Sequence, residues 1–409
     1  MPACFASLRL SPLLFGRSLH ESGVFCFTSG HVMSLIVRIA SRNLLQDRVR
    51  FVITVVGIVI SIVLVTVQMG LFLSFERMVS TMIDHAPGGL WIVPTGTKCF
   101  EDSASLDTRD RAAALAVPGV TAVVPVVIGF AEWTVPSGGT TPVFVIGSGA
   151  GRAGLHAWNL VAGNARDLAR PHAVAVDRTY FARLGIGGIG ATTKIRGRAA
   201  QVVSVTDGIR SFTTTPYVFA TLDRARSYIG MPKSKVSYFL VHLAKGADIG
   251  AVREHLAASL QGVEVLTPAA FRRRARDFWL FGTGAGAALF AGALLGAIVG
   301  TVIVAQTLYS STKDHLTEFA ILRAIGSSGL YIHKVIICQA LLSAAISFSL
   351  ASGIGLLIVM LTAGTALPIV MTPALTAGLF GLTILMCIAS AIAAIVEVTR
   401  MDPARILLR

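Results

Sequence analysis

The side chains best suited to catalysis are scattered along this sequence and do not stand at the spacings of a known active site. His156, His172, His242 and His255 lie far apart, and no nucleophile–base set surrounds any of them. Scattered histidines are usually structural or solvated, whereas a catalytic histidine needs a positioned partner. The sequence therefore favours a protein that is not itself an enzyme.

Metal and nucleotide sites are not indicated either. The glycine-rich run at 185–190 does not follow a strand in a βαβ unit, so a turn is favoured over a nucleotide site. No Lys follows a Gly anywhere in the chain, which excludes a P-loop, and we expect no directly bound cofactor. The cysteines lack CxxC spacing and an accompanying histidine cluster, so we expect no metal ion. They are Cys4, Cys26, Cys99, Cys338 and Cys387.

The composition indicates a lipid environment. Hydrophobic residues make up 54% of the chain and charged residues only 14%, whereas a soluble domain carries about 25% charged residues. The net charge of +14 is spread over several segments. This distribution favours a membrane surface over nucleic acid as the partner of the basic side chains.

Four apolar segments are long enough to cross a bilayer, which takes roughly 20 residues. They are residues 51–75, 279–308, 335–361 and 374–396. The first two contain no charged residue, and no Asp, Glu, Lys or Arg occurs from Val335 to Val396. We predict a membrane all-α protein with four transmembrane helices and an α+β extracytoplasmic domain, residues 76–278, inserted between helices 1 and 2.

Small residues recur every fourth position in two of these segments, which keeps them near one helix face. Such a face lets two helix backbones approach closely in lipid, although Gly and Ala are also simply common in membrane helices. We favour the packing face. Its members are Gly284, Ala288, Gly292, Gly296 and Gly300 in the second segment, and Ser343, Ser347, Ala351 and Gly355 in the third.

Residues 76–278 alternate between short β-branched runs and helical segments, typical of an α+β domain. Helices are expected at 107–117, 223–229 and 248–260, and another that begins at Thr267-Pro268 is expected to run unbroken, as a stalk, into the second span. The strands are expected at 90–93, 121–128, 142–146, 173–176, 201–205 and 237–243.

Basic residues near the span ends favour cytoplasmic termini under the positive-inside rule. One cluster opposes this assignment, namely Arg272, Arg273, Arg274 and Arg276 on the outer side. That cluster could contact anionic headgroups or form the solvated face of a stalk helix. Residues 1–50 are expected to be a cytoplasmic segment with an amphipathic helix over 33–50. Residues 1–32 are expected to be disordered, or untranslated if Met33 is the true start.

Residues 309–334 form a short, patterned cytoplasmic loop. Thr312 or Asp314 can cap a helix there, and Gly326 can end it. Such a helix could lie along the membrane, dock into a partner or serve only as a connector.

This loop resembles the signature of the MacB/FtsX-type ABC transporter permeases, in which a charged turn precedes Glu-x-x-x-Leu-Arg-Ala-x-Gly. The matching residues are Glu318, Leu322, Arg323, Ala324 and Gly326. In the tail, residues 397–409, Asp402, Pro403 and Leu407 are similar to the family's Asp-Pro-x-x-x-Leu ending. Residues 309–326 and 89–94 resemble the DevC branch in particular.

The resemblance implies a homodimer in the bacterial inner membrane that pairs with two copies of a separate ABC ATPase subunit, so that ATP acts only through that partner. The loop helix would insert into the ATPase, through Lys313, Asp314, Leu316, Glu318, Phe319, Leu322, Arg323 and Gly326. The DevC branch further implies a periplasmic adaptor, an outer-membrane channel and a lipid-like substrate. An FtsX-like regulator of a cell-wall hydrolase and a lipoprotein-release permease are the alternatives.

Overall fold

The computed structural model describes residues 29–102, 104–149, 151, 153–314 and 329–400. Four long helices in this part of the chain are apolar enough to cross a membrane by length and composition. They are α2 (Arg48–Asp84), α8 (Ala285–Asp314), α9 (Gly329–Thr362) and α10 (Pro373–Arg400), and they pack together as a bundle.

The first of these helices is longer than the predicted span and begins at a cap. Helix α1 (Ser29–Gln46) ends just before Asp47, whose Oδ1 accepts a hydrogen bond from the Arg50 backbone N–H at 3.2 Å. A capping carboxylate satisfies a free N–H of the first turn and starts a new helix. Residues 33–50, predicted as one helix, are therefore divided between α1 and α2. Of residues 1–32, positions 1–28 lie outside the described residues.

The residues between α2 and α8 in the chain form an α+β domain, here called the sheet domain. Its helices are α3 (Asp110–Leu115), α4 (Phe181–Leu184), α5 (Leu222–Ile229), α6 (Ile249–Ser259) and α7 (Pro268–Arg276). Its strands are β1 (Leu90–Pro94), β2 (Leu106–Asp107), β3 (Val120–Thr134), β4 (Thr140–Ser148), β5 (Leu160–Ala162), β6 (Ala173–Asp177), β7 (Thr192–Ile195), β8 (Arg198–Thr206), β9 (Tyr217–Thr221), β10 (Lys235–Val236), β11 (Tyr238–Leu243) and β12 (Val263–Leu266).

The main sheet is mixed and runs in the order β12-β1-β11-β3-β4-β9-β6-β8-β5, with β7 joined to β3 and β8. The pairs β4–β9 and β6–β8 are parallel and the others are antiparallel. Helices α3, α5 and α6 contribute Ala114, Tyr228 and Leu256 to the apolar core on one face. The core on the other face includes residues from α7 and from the last turns of α2, so this end of α2 packs into the core of the sheet.

The stalk is not the unbroken helix that we predicted from Thr267 into the second span. Helix α7 ends at Arg276, a π-helical turn follows over Asp277–Gly282, and α8 starts only at Ala285. Gly284 has a φ of 77°, a left-handed conformation that glycine adopts without steric cost. A backbone in this conformation cannot continue a right-handed helix, so Gly284 separates α7 and its π turn from α8.

Candidate functional site

The C-terminal end of α2, here called its outer end, is embedded in the sheet domain, and the end at Arg48 is called its inner end. Its last two turns bury four apolar side chains, namely Met78, Val79, Met82 and Ile83. They share a core with Trp91 of β1 and Phe271 of α7, both completely buried, whose rings meet edge to face at 5.4 Å. Interiors packed at this density transmit displacement from one element to the next. The end of α2 and the sheet therefore form one packed unit.

Ion pairs join the same end of α2 to α7. Arg272 Nε lies 2.7 Å from Asp84 Oδ1, and Arg276 Nη1 lies 2.9 Å from Glu76 Oε1. The second guanidinium also donates to Ser80 Oγ at 3.1 Å. Because these side chains are only about a third exposed, solvent and salt screen the attraction between their charges less than in surface ion pairs. The two helices are thus clamped by charge as well as by apolar packing.

The third arginine of the cluster is also paired. Arg274 Nη2 lies 2.7 Å from Glu264 Oε2 of β12, and this hydrogen bond lowers the pKa of Glu264. Arg273 is exposed and forms no ion pair with any described residue. Most of the cluster that opposed our assignment of sidedness therefore has internal carboxylate partners, which neither of the two interpretations from the sequence included.

Aromatic contacts link the sheet domain to the start of α8. Phe212, between β8 and β9, lies 4.4 Å from the Trp279 ring of the π turn and 5.1 Å from the Phe75 ring of α2, centroid to centroid. Nearby, Glu101 Oε1 accepts a hydrogen bond from the Tyr217 hydroxyl at 3.1 Å. Burial raises the pKa of Glu101 to about 7 and raises that of Tyr217 well above its ordinary value.

The connection between α9 and α10 contacts both the sheet domain and α2. Arg210 Nη2 of the sheet domain donates to the Ala363 carbonyl at 2.7 Å. The Val370 N–H donates to the Gly70 carbonyl of α2 at 3.4 Å, and Ile369 packs directly on Gly70. The connection between α9 and α10 therefore contacts the sheet domain and α2 at the same end of the bundle.

Inside the bundle, the small residues of α8 lie against α2. A Cβ on Gly292 would stand 2.7 Å from Gln68 Nε2, and one on Gly300 would stand 2.2 Å from Ser61 Oγ. The Ser61 hydroxyl donates to the Gly296 carbonyl. Helix backbones approach this closely only where no larger side chain intervenes.

The remaining residues proposed for the packing faces divide into two groups. The first group is buried and consists of Ser343, Ser347, Ala351 and Gly355 of α9. Gly284 and Ala288 behave differently, because Gly284 forms the break before α8 and Ala288 is exposed within this chain. The face on α8 is therefore shorter than the sequence suggested.

Two matches decide the family. Residues 51–259, just over half of the chain, match the MacB-like periplasmic core domain, and residues 290–403 match the FtsX-like permease C-terminal domain. The chain belongs to the MacB/FtsX-type ABC transporter permeases. It is a multi-pass membrane protein, and permeases of this family work with an ABC ATPase and are not enzymes themselves. No curated protein matches the sequence.

Several solved structures are similar to the permease over its sheet domain. The periplasmic region of MacB from Actinobacillus actinomycetemcomitans is 11% identical over 48% of this chain and 96% of its own, with a TM-score of 0.36. The extracellular domain of the noncanonic ABC-type transporter YknZ from Gram-positive bacteria is 14% identical over 44% and 99%, with a TM-score of 0.33. A permease-protein domain from Porphyromonas gingivalis is 14% identical over 44% and 90%, with a TM-score of 0.30.

The permease's proposed ATPase-coupling residues begin at the opposite end of the bundle. Lys313 and Asp314 are exposed in the last turn of α8, and Asp314 pairs with Arg50 of α2. The other coupling residues lie outside the described residues, namely Leu316, Glu318, Phe319, Leu322, Arg323 and Gly326. So do Asp402, Pro403 and Leu407 of the C-terminal motif. Their roles stay predictions.

Proposed function

We propose that this chain is the membrane subunit of an ABC exporter and relays the work of a separate ATPase subunit to its external sheet domain. The observation that carries the proposal is the continuity of α2. This helix runs without a break from Arg48, beside the start of the coupling segment, to Asp84, inside the sheet core. A continuous helix of this length spans both the bilayer and the junction beyond it.

The sidedness of the proposal follows from charge. Because Arg50 pairs with Asp314, the start of α2 and the end of α8 lie at the same end of the bundle. The coupling segment follows Asp314 directly, so it begins on the side of the N-terminal basic residues, which favours a cytoplasmic location there. The sheet domain is then extracytoplasmic, in a bacterial inner membrane. The pairing of Arg272, Arg274 and Arg276 with carboxylates reduces the opposing charge.

The partners of the proposed exporter are a second copy of the chain, two ATPase subunits, a periplasmic adaptor and an outer-membrane channel, as in the DevC branch. A lipid-like substrate is favoured because no Asp, Glu, His, Lys or Arg lies within residues 51–75, 279–308, 335–361 or 374–396. A path for ions or polar solutes through the bundle would need such groups.

The coupling role is tested by Glu318→Lys. Reversal of one charge in the docking segment is expected to abolish the stimulation of the ATPase by the reconstituted permease. Glu254→Lys, an equal charge change on an exposed residue of α6, is the matched control and is expected to leave stimulation intact. Unchanged stimulation in Glu318→Lys would refute docking through this segment, and ATP hydrolysis by the permease alone would refute the need for a separate ATPase.

The export role is tested by depletion of the chain in cells. Export predicts accumulation of a lipid-like compound in the inner membrane or periplasm. A division or cell-wall defect without accumulation would instead identify an FtsX-like regulator, and lipoproteins trapped in the inner membrane would identify lipoprotein release. The adaptor and the channel are tested by co-purification with the permease from cross-linked membranes.

A further inference from the structure

One half-buried acid lies where the sheet domain touches the start of α8. Glu101 follows β1 in the chain and accepts a hydrogen bond from Tyr217 of β9 through Oε1. Its other oxygen, Oε2, is shielded from solvent and has no hydrogen-bond partner among the described residues. Trp279 of the π turn and the Cys99 thiol face the same carboxyl group. The acid is therefore enclosed by three separate parts of the chain.

The enclosure has no cation to balance a negative charge. Within the described residues Glu101 forms no ion pair, and the groups around it are acidic or uncharged. Cys99 and Asp102 belong to its own segment, Tyr217 comes from β9, and Trp279 supplies only an indole N–H. On the side of α2 the neighbouring ring of Phe212 meets Phe75, which is apolar. An uncompensated carboxylate in such surroundings is costly.

The basic side chains near Glu101 contact its neighbours rather than its carboxyl group. Burial raises the pKa of Tyr180, whose hydroxyl lies near Tyr217, and the charges of Arg210 and Arg183 offset part of this effect. Lys98 Nζ lies 5.6 Å from the centre of the Phe278 ring. Neither arginine nor this lysine bonds to the Glu101 carboxyl. Burial therefore dominates and raises the pKa of Glu101 to about 7, although the hydrogen bond from the Tyr217 hydroxyl offsets part of the effect.

The position of Glu101 links its protonation to the contact between the sheet domain and the π turn. Phe212 and Trp279, whose rings are 4.4 Å apart, close the contact between the sheet domain and the π turn. Separation of these two surfaces would expose Glu101 to water. In water an isolated carboxyl group ionises readily, because its charge is solvated.

We propose that Glu101 is a proton-binding site that links the contact between the sheet domain and the start of α8 to the pH outside the membrane. In the closed contact the carboxyl group keeps its proton. When the contact opens, the proton passes to a water molecule and the carboxylate is solvated; when the contact closes, the carboxylate takes a proton back from solvent. External acid thus holds the contact closed, and neutral or alkaline solution releases it.

The sign follows from the two pKa values. Below the ordinary carboxyl pKa of 4.5 both states are protonated, so pH has no effect on opening through this group. Between 4.5 and about 7 the closed state binds more protons than the open state, and opening becomes up to about tenfold more favourable for each pH unit. Above about 7 both states are ionised and the dependence ends.

The test is hydrogen exchange of the full-length chain in lipid nanodiscs between pH 5 and 8, corrected for the intrinsic rate at each pH. Peptides that cover 97–102 and 277–284 report the opening of the contact. In the natural protein their protection is expected to fall by up to about tenfold per pH unit from 5 to 7 and then to level off. Glu101→Gln is expected to remove this dependence, whereas Glu254→Gln, an exposed acid on α6, is expected to retain it.

Tyr217→Phe distinguishes a proton site from a packing role. The tyrosine hydroxyl donates to the carboxyl and favours its ionised form, so its loss is expected to move the midpoint of the profile to higher pH. A residue that serves only packing would instead lower protection equally at every pH. A flat profile in the natural protein, or an unchanged profile in Glu101→Gln, would overturn the proposal. The midpoint shift in Tyr217→Phe decides the matter if Glu101→Gln fails to fold.

Discussion

The two ends of α2 are held in different ways. The outer end has a shared apolar core, two ion pairs to α7 and the aromatic ring of Phe75 against Phe212. The inner end has its cap at Asp47 and a pair between Arg50 and Asp314, whose carboxylate is more than half exposed. Exposed pairs contribute little to stability. The same helix is thus fixed to the sheet domain by a shared core and two ion pairs, whereas its first turn, before the apolar contacts of Gly57 and Ile58 with α8, is joined to α8 by one exposed pair.

This difference shows which end of the helix can respond to a partner. The first turn of α2 is largely exposed, with Val49 and Val52 facing away from the rest of the chain, whereas the last two turns lie in the core of the sheet. We therefore expect variants at the outer end of α2 to lower stability more than variants at the inner end.

The largest effect is expected for Phe271→Ala. This ring is fully buried beside Trp91 and Tyr238, and its removal leaves a cavity that costs about 3–5 kcal/mol. Chemical denaturation of the full-length protein, followed by tryptophan fluorescence, measures the loss. Val161→Ala, an exposed position on β5, is the control and should cost little. Equal costs at the two positions would contradict the firm attachment of the outer end.

Gly300→Ala comes next. The added methyl group would lie 2.6 Å from Ser61 Cβ and 2.5 Å from Met386 Cε, so α8 must move away from α2 or α10, at a cost of about 1–3 kcal/mol. Gly378→Ala in α10 meets no atom within 4 Å and should not destabilise the bundle. Thermal unfolding in detergent compares them. Equal midpoints would show that the helices do not depend on this close approach.

A smaller difference is expected between the two sets of ion pairs. Glu76→Gln weakens a partly buried, charge-assisted bond to Arg276 and should cost about 1–3 kcal/mol. Asp314→Asn at the inner end should cost about 1 kcal/mol or less. Unfolding free energies of the two amide variants give the ratio directly. A larger loss for Asp314→Asn would reverse the comparison of the two ends.

The smallest effect is expected on the loss of stability at low pH. The hydrogen bond from Arg274 lowers the pKa of Glu264 below its ordinary value of 4.5. This pair therefore stabilises the fold above about pH 4.5, and the contribution is lost as pH falls further. Arg274→Gln should flatten the loss of stability between about pH 5 and 3. Arg273→Gln, at the exposed neighbour, should leave that slope unchanged. The unfolding midpoint measured at each pH provides the readout.

The spans and several strands could be predicted because their signals are local. The charge-free run from Val335 to Val396 contains most of α9 and α10, and the β-branched runs at 90–93 and 173–176 match β1 and β6 within one residue. Strand β12, Val263–Leu266, was not predicted, because four residues carry little periodicity and its strand character depends on pairing with distant β1.

The ion pairs of the junction could not be predicted because they join distant positions. Arg272 and Arg276 share one face of α7 by their spacing of four, but nothing local identifies Asp84 and Glu76 as their partners. Glu101 was missed for the same reason, since its burial depends on Tyr217 and Trp279. The break before α8 did have a local signal, because Gly282 and Gly284 stand at the point where we predicted a continuous helix.

Gly284 has a mechanical consequence for the assembled permease. Torque passes along a helix only while its hydrogen-bonded backbone continues, and α2 meets that condition from Arg48 to Asp84. The chain between α7 and α8 does not, because Gly284 reverses the handedness of the backbone there. Rotation of α8 about its own axis is therefore uncoupled from the sheet along the main chain. Among the described long helices, α2 is the one whose unbroken backbone enters the core of the sheet.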